Sequence, residues 1–443
     1  MRAFLILIFS TFFIAQVLAQ KNSEIETESY LLFSQGKWDE LIAKGEQAIK
    51  NKQDSYFLQY RLGIAWYEKK QYLKAIRHFN KIYKEGKNDP VLNEYLYFSW
   101  LFAGFYNEAM VYFNQLSKES VVKYGLKKYP LLSDVALEVE QSQNLENDTR
   151  FTGNLMGSAN LYGEVEWPDN YKRSRITIKF HPWNNQSFIF SFAGLVARNN
   201  FLVEESQWTW PRDLFAIEKS FYFSTTHAFK NHVSLTASMH QISGIYSSSI
   251  FSYDSLWQGS LSTSHTSYTD AAYSLGIKKH AGKYIFMAEG NFNQIGNQKS
   301  AGFALCAVRY PFQGFPLYVQ SNFIVQKQIG QKGKNKTNDE IIVKPVVGYQ
   351  GKKFGISAYA ILGNIKQYSI SNAMFVYNSP DPVVFLAGTN MYINIVKSIT
   401  FTLGGSYFEK QTQRMVYTDA DNYTLEKINY FNLLTTGGFV WNF

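Results

Sequence analysis

Hydrophobic and polar side chains alternate one by one along most of the chain, from about residue 150 to the last residue. Between Arg175 and His181, the apolar Ile176, Ile178 and Phe180 alternate with four polar side chains. Alternation with a period of two is typical of β-strands that have one apolar and one polar face. The C-terminal two thirds of the chain is therefore predicted to be a β-sheet protein.

The connections between these strands alternate between short turns and long loops. Short turns are expected near 184–186, 230–232, 281–283, 350–352 and 397–398, and long loops near 200–213, 247–269, 329–339, 367–383 and 413–427. Short turns at one end and long loops at the other are typical of a transmembrane barrel. In a soluble Greek-key sandwich, long connections would fall at both ends. The asymmetry therefore favours a transmembrane antiparallel β-barrel.

Counting on this basis gives about 14 strands, an even number that returns the chain to the side on which it entered. The predicted strands are 150–165, 173–183, 187–199, 214–228, 232–246, 270–280, 283–294, 300–310, 315–328, 340–350, 353–366, 384–396, 399–412 and 428–443. Residues 247–269 are long enough for one more hairpin, so 16 strands is the alternative, and the predicted range is roughly 12 to 16 strands.

The N-terminal third has a helical period instead, and its pattern repeats after 34 residues. Leu62, Trp66, Tyr72, Ala75, Phe79 and Ile82 recur as Leu96, Trp100, Tyr106, Ala109, Phe113 and Leu116. A small residue such as Ala75 lets two antiparallel helices approach closely, and the large apolar residue four positions later fills the space beside them. The region from residue 24 to about residue 120 is therefore predicted to be a helical repeat domain.

This spacing resembles the tetratricopeptide repeat family, with three units over residues 24–120. The resemblance implies a concave groove that binds peptide segments of partner proteins. Its lining is expected to be Phe57, Tyr60, Ile64 and Tyr67 in the second repeat and Val91, Glu94, Phe98 and Leu101 in the third. The alternative for the aromatic residues is a place in the repeat core. Both alternatives stay open for Tyr60 and Tyr67, whereas the core is favoured for Phe98.

The first residues have the pattern of a secretory signal peptide, because Met1 and Arg2 precede the apolar run Phe4–Ala19. A retained membrane anchor is the alternative. The predicted domains are then the signal peptide at 1–19, a periplasmic repeat domain at 20–120, a segment at 121–148 with a capping helix at 131–137 and a linker at 138–148, and the barrel at 149–443.

Composition narrows the classes of protein further. The 443 residues are 46% hydrophobic, 17% aromatic and 18% charged. No apolar block reaches the roughly 20 residues of a membrane-spanning helix, and this much apolar surface excludes a disordered chain. The net charge of +9 is spread along the sequence, which argues against nucleic-acid binding. Cys306 is the single cysteine, so the chain has no internal disulfide and no lipid-bearing cysteine at the cleavage site.

Motifs that carry chemistry are sparse. Six of the seven histidines fall in the barrel region, namely His181, His227, His232, His240, His265 and His280. The pair His240 and Ser243 is a candidate for nucleophilic catalysis, but polar positions in the lumen or at the rim are the favoured explanation. The sequence has neither the His and Cys spacing of a metal site nor a glycine-rich phosphate loop. We therefore predict no cofactor and no enzymatic activity.

The charged residues predicted to face the barrel interior are of both signs: Arg175, Lys179, Glu218, Lys278, Glu289 and Lys344. A channel for one kind of ion or for an anionic polymer would be lined mainly by one sign. A barrel of about 14 strands is wider than side chains alone can fill and narrower than an open porin. Partial occlusion of the lumen is expected.

The chain ends on Phe439, Trp441 and Phe443, which share one strand face. This ending resembles the assembly signal of outer-membrane barrels, and the layout is similar to that of YaiO-type proteins of Gram-negative bacteria. The resemblance implies an outer-membrane location with the repeat domain in the periplasm. We expect a non-enzymatic barrel that anchors the repeat domain as a subunit of an envelope assembly or secretion complex. Its expected partners are periplasmic or outer-membrane proteins and outer-membrane lipid. The alternatives are an exporter of polysaccharide or another polymer and a lipid-modifying barrel enzyme.

Overall fold

The structure is a computed structural model, and it describes residues 24–443 except for short gaps. The gaps are 84–88, 129, 154, 157–161, 206–207, 230–232, 254–258, 282–283, 297, 312–315, 330–339, 366–367, 378–380 and 419–421. The predicted signal peptide at 1–19, the predicted turn at 230–232 and most of the predicted loop at 329–339 lie outside the described residues.

Helices come first along the described chain. They are α1 at 24–34, α2 (Trp38–Lys50), α3 (Tyr56–Glu68), α4 (Tyr72–Tyr83), α5 (Pro90–Phe102), α6 (Tyr106–Phe113) and α7 (Lys118–Lys123). Consecutive helices from α2 to α6 pack against one another. No helix within the described residues is long and apolar enough to span a membrane. The assignment to tetratricopeptide repeats stays a prediction.

Side-chain caps define where two of these helices begin. The Ser55 side chain accepts a hydrogen bond from the backbone N–H of Leu58 at the start of α3. The Asp89 side chain accepts one from the N–H of Val91 at the start of α5. Such caps satisfy backbone donors that a helix leaves unpaired. The apolar faces of the helices share one core, which contains Leu62, Trp66, Ala75, Phe79, Ile82, Leu96, Trp100, Ala109 and Phe113. The 34-residue pattern is therefore a core-packing pattern.

The rest of the described chain is mainly β-structure. The strands are β1 (Leu132–Asn144), β2 (Tyr162–Trp183), β3 (Gln186–Glu205), β4 (Trp208–Ala228), β5 (Val233–Tyr253), β6 (Gly259–Ala281), β7 (Tyr284–Ile295), β8 (Gln298–Arg309), β9 (Leu317–Ile329), β10 (Glu340–Gln350), β11 (Phe354–Ile365), β12 (Tyr368–Ile370), β13 (Phe375–Tyr377), β14 (Val383–Val396), β15 (Ile399–Tyr417) and β16 (Tyr423–Asn442), with helix α8 (Thr149–Thr152) between β1 and β2. All except β12 and β13 form a closed antiparallel barrel, which confirms the predicted 14 strands.

The outer wall of the barrel is apolar. On β1, Leu137 and Val139 are 45% and 59% exposed, whereas the alternate Glu138 and Glu140 form ion pairs with arginines of β2 on the inner side. The same alternation exposes large apolar side chains on the other strands, including Ile176, Phe192, Leu275, Phe303, Phe323, Ile356 and Leu403. An apolar outer wall around a polar lumen is the arrangement of a transmembrane β-barrel.

The two ends of the barrel differ. At one end, β2 and β3 meet across 183–186, and β14 and β15 across 396–399. At the other end, the strands continue as long hairpins, of which β6 reaches 23 residues. The predicted long loops at 200–213, 247–269 and 413–427 are largely wrong, because strands run through them. Hairpins outside a membrane need no apolar face, so their sequences are rich in serine or lack a regular alternation of apolar and polar residues. The strands in these segments were therefore not predicted.

The first barrel strand lies where the sequence predicted a capping helix and a linker. Residues Leu132–Asn144 form β1, which pairs with β16 on one side and with β2 on the other. The predicted helix at 131–137 and linker at 138–148 are therefore wrong. The inward carboxylates of Glu138 and Glu140 made this strand look like a solvated linker.

The predicted strand at 150–165 is also wrong. Its described residues include α8, and β2 begins only at Tyr162. The total of 14 strands is nevertheless right, because β1 replaces the predicted first strand. The barrel accordingly begins at Leu132 and not at residue 149.

Candidate functional site

The helical domain (α1–α7) inserts side chains into the short-turn mouth of the barrel. Glu108 on α6 is only 4% exposed, and its Oε1 lies 2.8 Å from Nζ of Lys278 and 3.0 Å from Nε2 of His280, both on β6. Lys278 and His280 alternate along β6 with outward-facing side chains such as that of Ile277. Their own side chains therefore face the lumen. We call Glu108, Lys278 and His280 the docking contact.

The docking contact lowers the pKa of the Glu108 carboxyl group. Burial alone would raise its pKa, but the hydrogen bond from His280 and the charge of Lys278 outweigh burial and lower the pKa to about 2. Glu108 is therefore ionised at neutral pH. Breaking such a buried pair is costly, because the remaining partner is left as a buried charge without compensation.

Aromatic rings surround the docking contact. The ring of Phe105 lies 4.5 Å from that of His280 and 6.4 Å from that of Tyr310, which follows β8. The ring of Trp100 lies 5.4 Å from that of His280, in an edge-to-face arrangement. Edge-to-face geometry is favourable for aromatic pairs. The imidazole is therefore packed as well as ion-paired.

Two further contacts extend the junction along the mouth. Ala228, the last residue of β4, belongs to the core of the helical domain. Asn184, in the turn between β2 and β3, donates a hydrogen bond from Nδ2 to Oδ1 of Asn114 at 2.7 Å. The helical domain thus contacts the barrel from the β2–β3 turn to the end of β8.

A continuous group of rings crosses α3 and α5 on the helical domain. We call it the aromatic surface; it comprises Tyr56, Phe57, Tyr60, Tyr67, Tyr95, Phe98, Phe102 and Tyr124, and Tyr56 joins Phe57 to Tyr60. Neighbouring centroids are 6.4 Å apart for Tyr60 and Tyr95, 5.2 Å for Tyr67 and Tyr95, and 4.9 Å for Phe98 and Tyr124. Phe57 and Phe102 are more than half exposed. Together with Tyr124, which is 43% exposed, these two rings are the accessible part of the surface.

The predicted groove tyrosines lie between core and surface. Tyr60 and Tyr67 are half-buried, and both pack against the core of the helical domain. Burial raises the pKa of both phenol groups. Phe98 is stacked on Phe102 at 5.7 Å and packs against the same core. These side chains therefore belong to the packing of the domain core, and their role in partner binding stays a prediction.

The other predicted groove residues differ among themselves. Ile64 is 6% exposed and belongs to the core, so the prediction that it lines an open groove is wrong. Leu101 packs against the core as well. Val91 is 48% exposed. Glu94 accepts hydrogen bonds from the hydroxyls of Ser120 and Tyr124, so its carboxylate is engaged within the domain.

A short hairpin lies inside the barrel. Residues 368–377, which we call the lumen hairpin, contain β12, β13 and a four-residue tip. The carbonyl of Asn372 accepts a hydrogen bond from the hydroxyl of Tyr222 at 3.2 Å, and the carbonyl of Ala373 lies 2.9 Å from Nδ1 of His240. The N–H of Asn372 donates to Glu289 at 3.2 Å. The hairpin is thereby tied to β4, β5 and β7 and occludes part of the lumen.

The tip of this hairpin has an unusual backbone. Ser371, Asn372 and Ala373 have φ values of 57°, 56° and 59°. Residues other than glycine enter this left-handed region at a cost of roughly 1–2 kcal/mol each. Such a conformation persists only where surrounding contacts over-determine it. The hydrogen bonds between the hairpin and Tyr222, His240 and Glu289 of the barrel wall supply these contacts.

A cavity of about 1300 Å³ remains beside the lumen hairpin. Arg173 and Arg175 line it and lie 3.1 Å and 3.7 Å from the carboxylates of Glu140 and Glu138. The Arg175 guanidinium also lies 5.3 Å from the ring of Phe375 in the hairpin. Arg175, Glu218 and Lys344, three of the predicted inward charges, line this cavity. The lumen is therefore lined by charges of both signs, of which the two arginines are ion-paired.

The described residues bring together no catalytic triad. His240 faces the lumen hairpin, whereas Ser243 lies on the opposite face of β5, so this candidate pair is separated. Ser247 Oγ lies 3.1 Å from Nδ1 of His265, but within the described chain no carboxylate contacts this imidazole. No group of three His, Cys, Asp or Glu side chains among the described residues could hold a metal ion.

The predicted assembly signal lies at the seam of the barrel. Phe439 and Phe443 are 43% and 67% exposed on the outer side. Trp441 lies opposite Val135 of β1. The N–H of Phe443 donates to the carbonyl of Ser133 at 2.9 Å. The last residues thus close the sheet against its first strand, and their role in assembly stays a prediction.

Sequence reasoning missed the docking contact and the lumen hairpin. Glu108 lies between the repeat position Tyr106 and the apolar run 109–113. A single acidic residue beside this apolar run was the signal in the sequence that pointed to a buried carboxylate. The hairpin lies within the predicted loop at 367–383, and nothing in that sequence indicates that it turns inward.

No family model matches the chain, and no curated protein matches it. Solved structures that resemble its barrel include a Pseudomonas aeruginosa FadL homologue, with 8% identity over 70% of this chain and 90% of that one and a TM-score of 0.44. The toluene transporter TodX of Pseudomonas putida has 8% identity over 71% and 91%, with a TM-score of 0.45. A bacterial polysaccharide outer membrane secretin has 9% identity over 70% and 98%, with a TM-score of 0.35. Likeness at this level carries no argument about function.

Proposed function

We propose that this chain is a non-enzymatic outer-membrane β-barrel that anchors a periplasmic protein-interaction domain, as a subunit of an envelope assembly or secretion complex. The docking contact carries the proposal, because Glu108 of the helical domain is buried against Lys278 and His280 inside the barrel mouth. A domain fixed in this way holds any partner at a defined place beside the membrane.

The asymmetry of the barrel supports a periplasmic position for the helical domain. In outer-membrane barrels the periplasmic turns are short and the extracellular connections are longer. The helical domain contacts the short-turn end, at Asn184 and Ala228. In this orientation the long hairpins face the outside of the cell.

The aromatic surface supports partner binding. Phe57 and Phe102 expose 59% and 51% of their area, and the guanidinium of Arg61 lies 5.7 Å from the ring of Phe57. Aromatic and arginine side chains dominate the binding energy of many protein interfaces. A peptide segment with an apolar face, from a periplasmic or outer-membrane protein, is the partner that this chemistry favours.

Co-purification from cells in mild detergent tests the proposal. We expect Phe57→Ala combined with Phe102→Ala to lower recovery of the bound partner at least fivefold. The matched control is Val122→Ala, because Val122 is 81% exposed on α7 and is not part of the aromatic surface. Equal recovery with the double variant and the control would contradict the proposed binding surface.

Export of polysaccharide or another polymer is the second candidate function. The cavity of about 1300 Å³ beside the lumen hairpin favours it, because displacement of the hairpin would enlarge an existing space. Planar-bilayer recordings of the purified full chain separate the two functions. Large steady openings of the wild type favour export, whereas little steady conductance favours the anchored interaction domain.

A further inference from the structure

The outer wall of the barrel has a hollow near its seam, which we call the notch. β1 ends at Asn144, opposite Asn432 of β16, whereas β2 and β16 extend further, to Tyr162 and Tyr423. Beyond the end of β1, Phe151 of α8 packs between Trp167 of β2 and Tyr430 of β16. The notch lies beside this junction, on the outer face of β1, β2 and β3.

A bulge in β2 borders the notch. The register between β2 and β3 shifts between Pro168 and Asn170, so that Asp169 is an extra residue in β2. A bulge bends its strand and increases the local twist. The notch is a cavity of about 460 Å³ lined by Gln141, Gln143, Asp169, Asn170, Lys172, Val196 and Arg198.

The notch opens on the outer wall. Gln141 and Gln143 share the parity of Leu137 and Val139, which are exposed on that wall. Lys172 and Arg198 are exposed, and each lies an even number of residues from an exposed apolar side chain of its own strand. Asp169, Asn170 and Arg198 also line the lumen cavity, so the two cavities adjoin at these residues.

Two cations dominate this notch. Across the described chain, no carboxylate lies within ion-pairing distance of Lys172 or Arg198. The acidic Asp169 beside them accepts a hydrogen bond from Nδ2 of Asn170 at 2.7 Å. Lysine or arginine facing lipid costs roughly 2–4 kcal/mol at the membrane midplane but close to nothing at the interface. Their placement therefore indicates a position at headgroup level.

The strand geometry gives the same depth. Lys172 is eleven residues from Trp183 at the short-turn end of β2. At roughly 3.3 Å per residue and a strand tilt of about 35–45°, this separation corresponds to roughly 26–30 Å along the membrane normal. The apolar band of such barrels is about 25 Å tall. Lys172 and Arg198 thus lie at the far edge of the band.

We propose that the notch binds the phosphorylated headgroup of a lipid in the outer leaflet. Lys172 and Arg198 contact the phosphate oxygens, because arginine can bind them with two parallel hydrogen bonds and lysine supplies a compact charge. The amides of Gln141, Gln143 and Asn170 are placed to hydrogen-bond the neutral part of the headgroup. The proposal rests on the outer-membrane orientation proposed above.

Native mass spectrometry of the full chain in mild detergent tests this site. Diphosphorylated lipid A is added to the wild type and to the double variant Lys172→Glu/Arg198→Glu. We expect the wild type to retain the lipid and the double variant to retain at least fivefold less. Dephosphorylated lipid A should bind the wild type as weakly as the phosphorylated form binds the double variant.

Three controls make the outcome decisive. Lys397→Glu changes an exposed lysine at the short-turn end and should retain the lipid, as should the charge-preserving Lys172→Arg/Arg198→Lys. If the double variant does not fold, as judged by heat-modifiable migration, Lys172→Gln alone should lower retention about two- to threefold. Equal retention in all variants, equal loss in Lys397→Glu, or displacement of the lipid by inorganic phosphate alone overturns the proposal.

The readouts keep this site separate from the proposed function. Lys172→Glu/Arg198→Glu should leave partner co-purification unchanged, because the notch is far from the aromatic surface along the barrel. The aromatic variants Phe57→Ala and Phe102→Ala should leave lipid retention unchanged. Loss of lipid retention in those variants would attribute retention to the helical domain and overturn the notch as the site.

Discussion

Glu108 and His280 are 172 residues apart in the sequence, yet Nε2 of His280 lies 3.0 Å from Oε1 of Glu108 inside the barrel mouth. One residue belongs to α6 and the other to β6, so this buried contact joins the helical domain to the barrel. Lys278 contributes a second cation to the same carboxylate. A partner bound to the helical domain is thereby held in a fixed orientation relative to the membrane.

Glu108→Gln should loosen this docking. The change leaves Lys278, whose side chain is 31% exposed, without its counter-ion, so we expect a cost below the roughly 3–5 kcal/mol of breaking a fully buried pair. Disulfide trapping measures the effect. Asn114→Cys and Asn184→Cys, introduced with Cys306→Ala, replace two side chains that are hydrogen-bonded at 2.7 Å. We expect the rate of trapping to fall about tenfold or more in Glu108→Gln.

The control for this experiment is Glu119→Gln, on the exposed side of α7. It removes a negative charge from the same domain and should leave the trapping rate unchanged. A Glu108→Gln protein that traps as fast as the wild type would show that the ring contacts of Phe105 and Trp100 hold the domain without the ion pair.

The stability of the helical domain should fall in mild acid through His78. Burial lowers the pKa of His78 to about 4, and its Nδ1 lies 2.7 Å from Oε1 of Gln59. Because the unfolded chain binds this proton near pH 6.5, stability is full above that pH and is lost as the pH falls towards 4. The loss amounts to about 3 kcal/mol at most.

Denaturant unfolding of the full chain, followed by the helical circular-dichroism signal between pH 7 and 4.5, measures this slope. His78→Gln, which has no proton to gain, should flatten it. The depressed pKa of Glu108 affects stability only below about pH 4.5, so it does not contribute in this window. An unchanged slope in His78→Gln would assign the pH dependence to another group.

Removal of the lumen hairpin should open the barrel. Residues 368–377 occupy the lumen through contacts with Tyr222, His240 and Glu289. Replacing them by a short Gly-Ser linker should raise single-channel conductance in planar bilayers several-fold over the wild type. Thr263→Ala is the control, because Thr263 is exposed on β6 and is not part of the lumen hairpin, and it should leave conductance unchanged. If the hairpin-deleted protein still shows no conductance, the helical domain and not the hairpin blocks the lumen.

Tyr60 and Tyr67 should contribute to both stability and binding. They are half-buried against the domain core, so Tyr60→Ala/Tyr67→Ala should lower the stability of the helical domain by about 2–5 kcal/mol. Phe57→Ala/Phe102→Ala removes exposed rings instead and should leave its melting temperature within a few degrees while partner recovery falls. Unfolding and co-purification on the same samples separate the two roles. An unaltered melting temperature in the tyrosine variant would assign those rings to the surface alone.

The period of the hydrophobic pattern predicted most of this architecture. Alternation such as Ile176, Ile178 and Phe180 identified strands wherever the outer wall requires apolar side chains, and the 34-residue pattern identified the packed helix faces. The pattern failed at β1, because Glu138 and Glu140 face inward to partners that are distant in sequence. Local polarity does not reveal a charge that is neutralised across a sheet.

The candidate site was less accessible to sequence reasoning for the same reason. Glu108 became recognisable only when the fold brought Lys278 and His280 to it. The lumen hairpin reads as an ordinary loop, because its buried positions are defined by wall residues on β4, β5 and β7. Periodicity therefore predicts which face of an element is buried, but it does not predict what the element is buried against.

The C-terminal residue should matter for assembly of the barrel more than for its final stability. Phe443 is 67% exposed, and its backbone N–H donates to Ser133 at the seam where the last strand meets the first. Phe443→Ala preserves this backbone hydrogen bond and removes only the outward ring. If the ring is a recognition signal, the variant should be made at the wild-type level but reach the heat-modifiable, outer-membrane form several-fold more slowly.

Trp183→Ala is the matched control, since Trp183 is a comparably exposed aromatic residue at the same end of the barrel. Pulse-labelling of cells followed by membrane fractionation compares the two variants. Equal assembly rates would mean that Phe443 is one more interfacial aromatic residue, whereas recovery of the wild type as a soluble periplasmic protein would contradict the barrel in a membrane altogether.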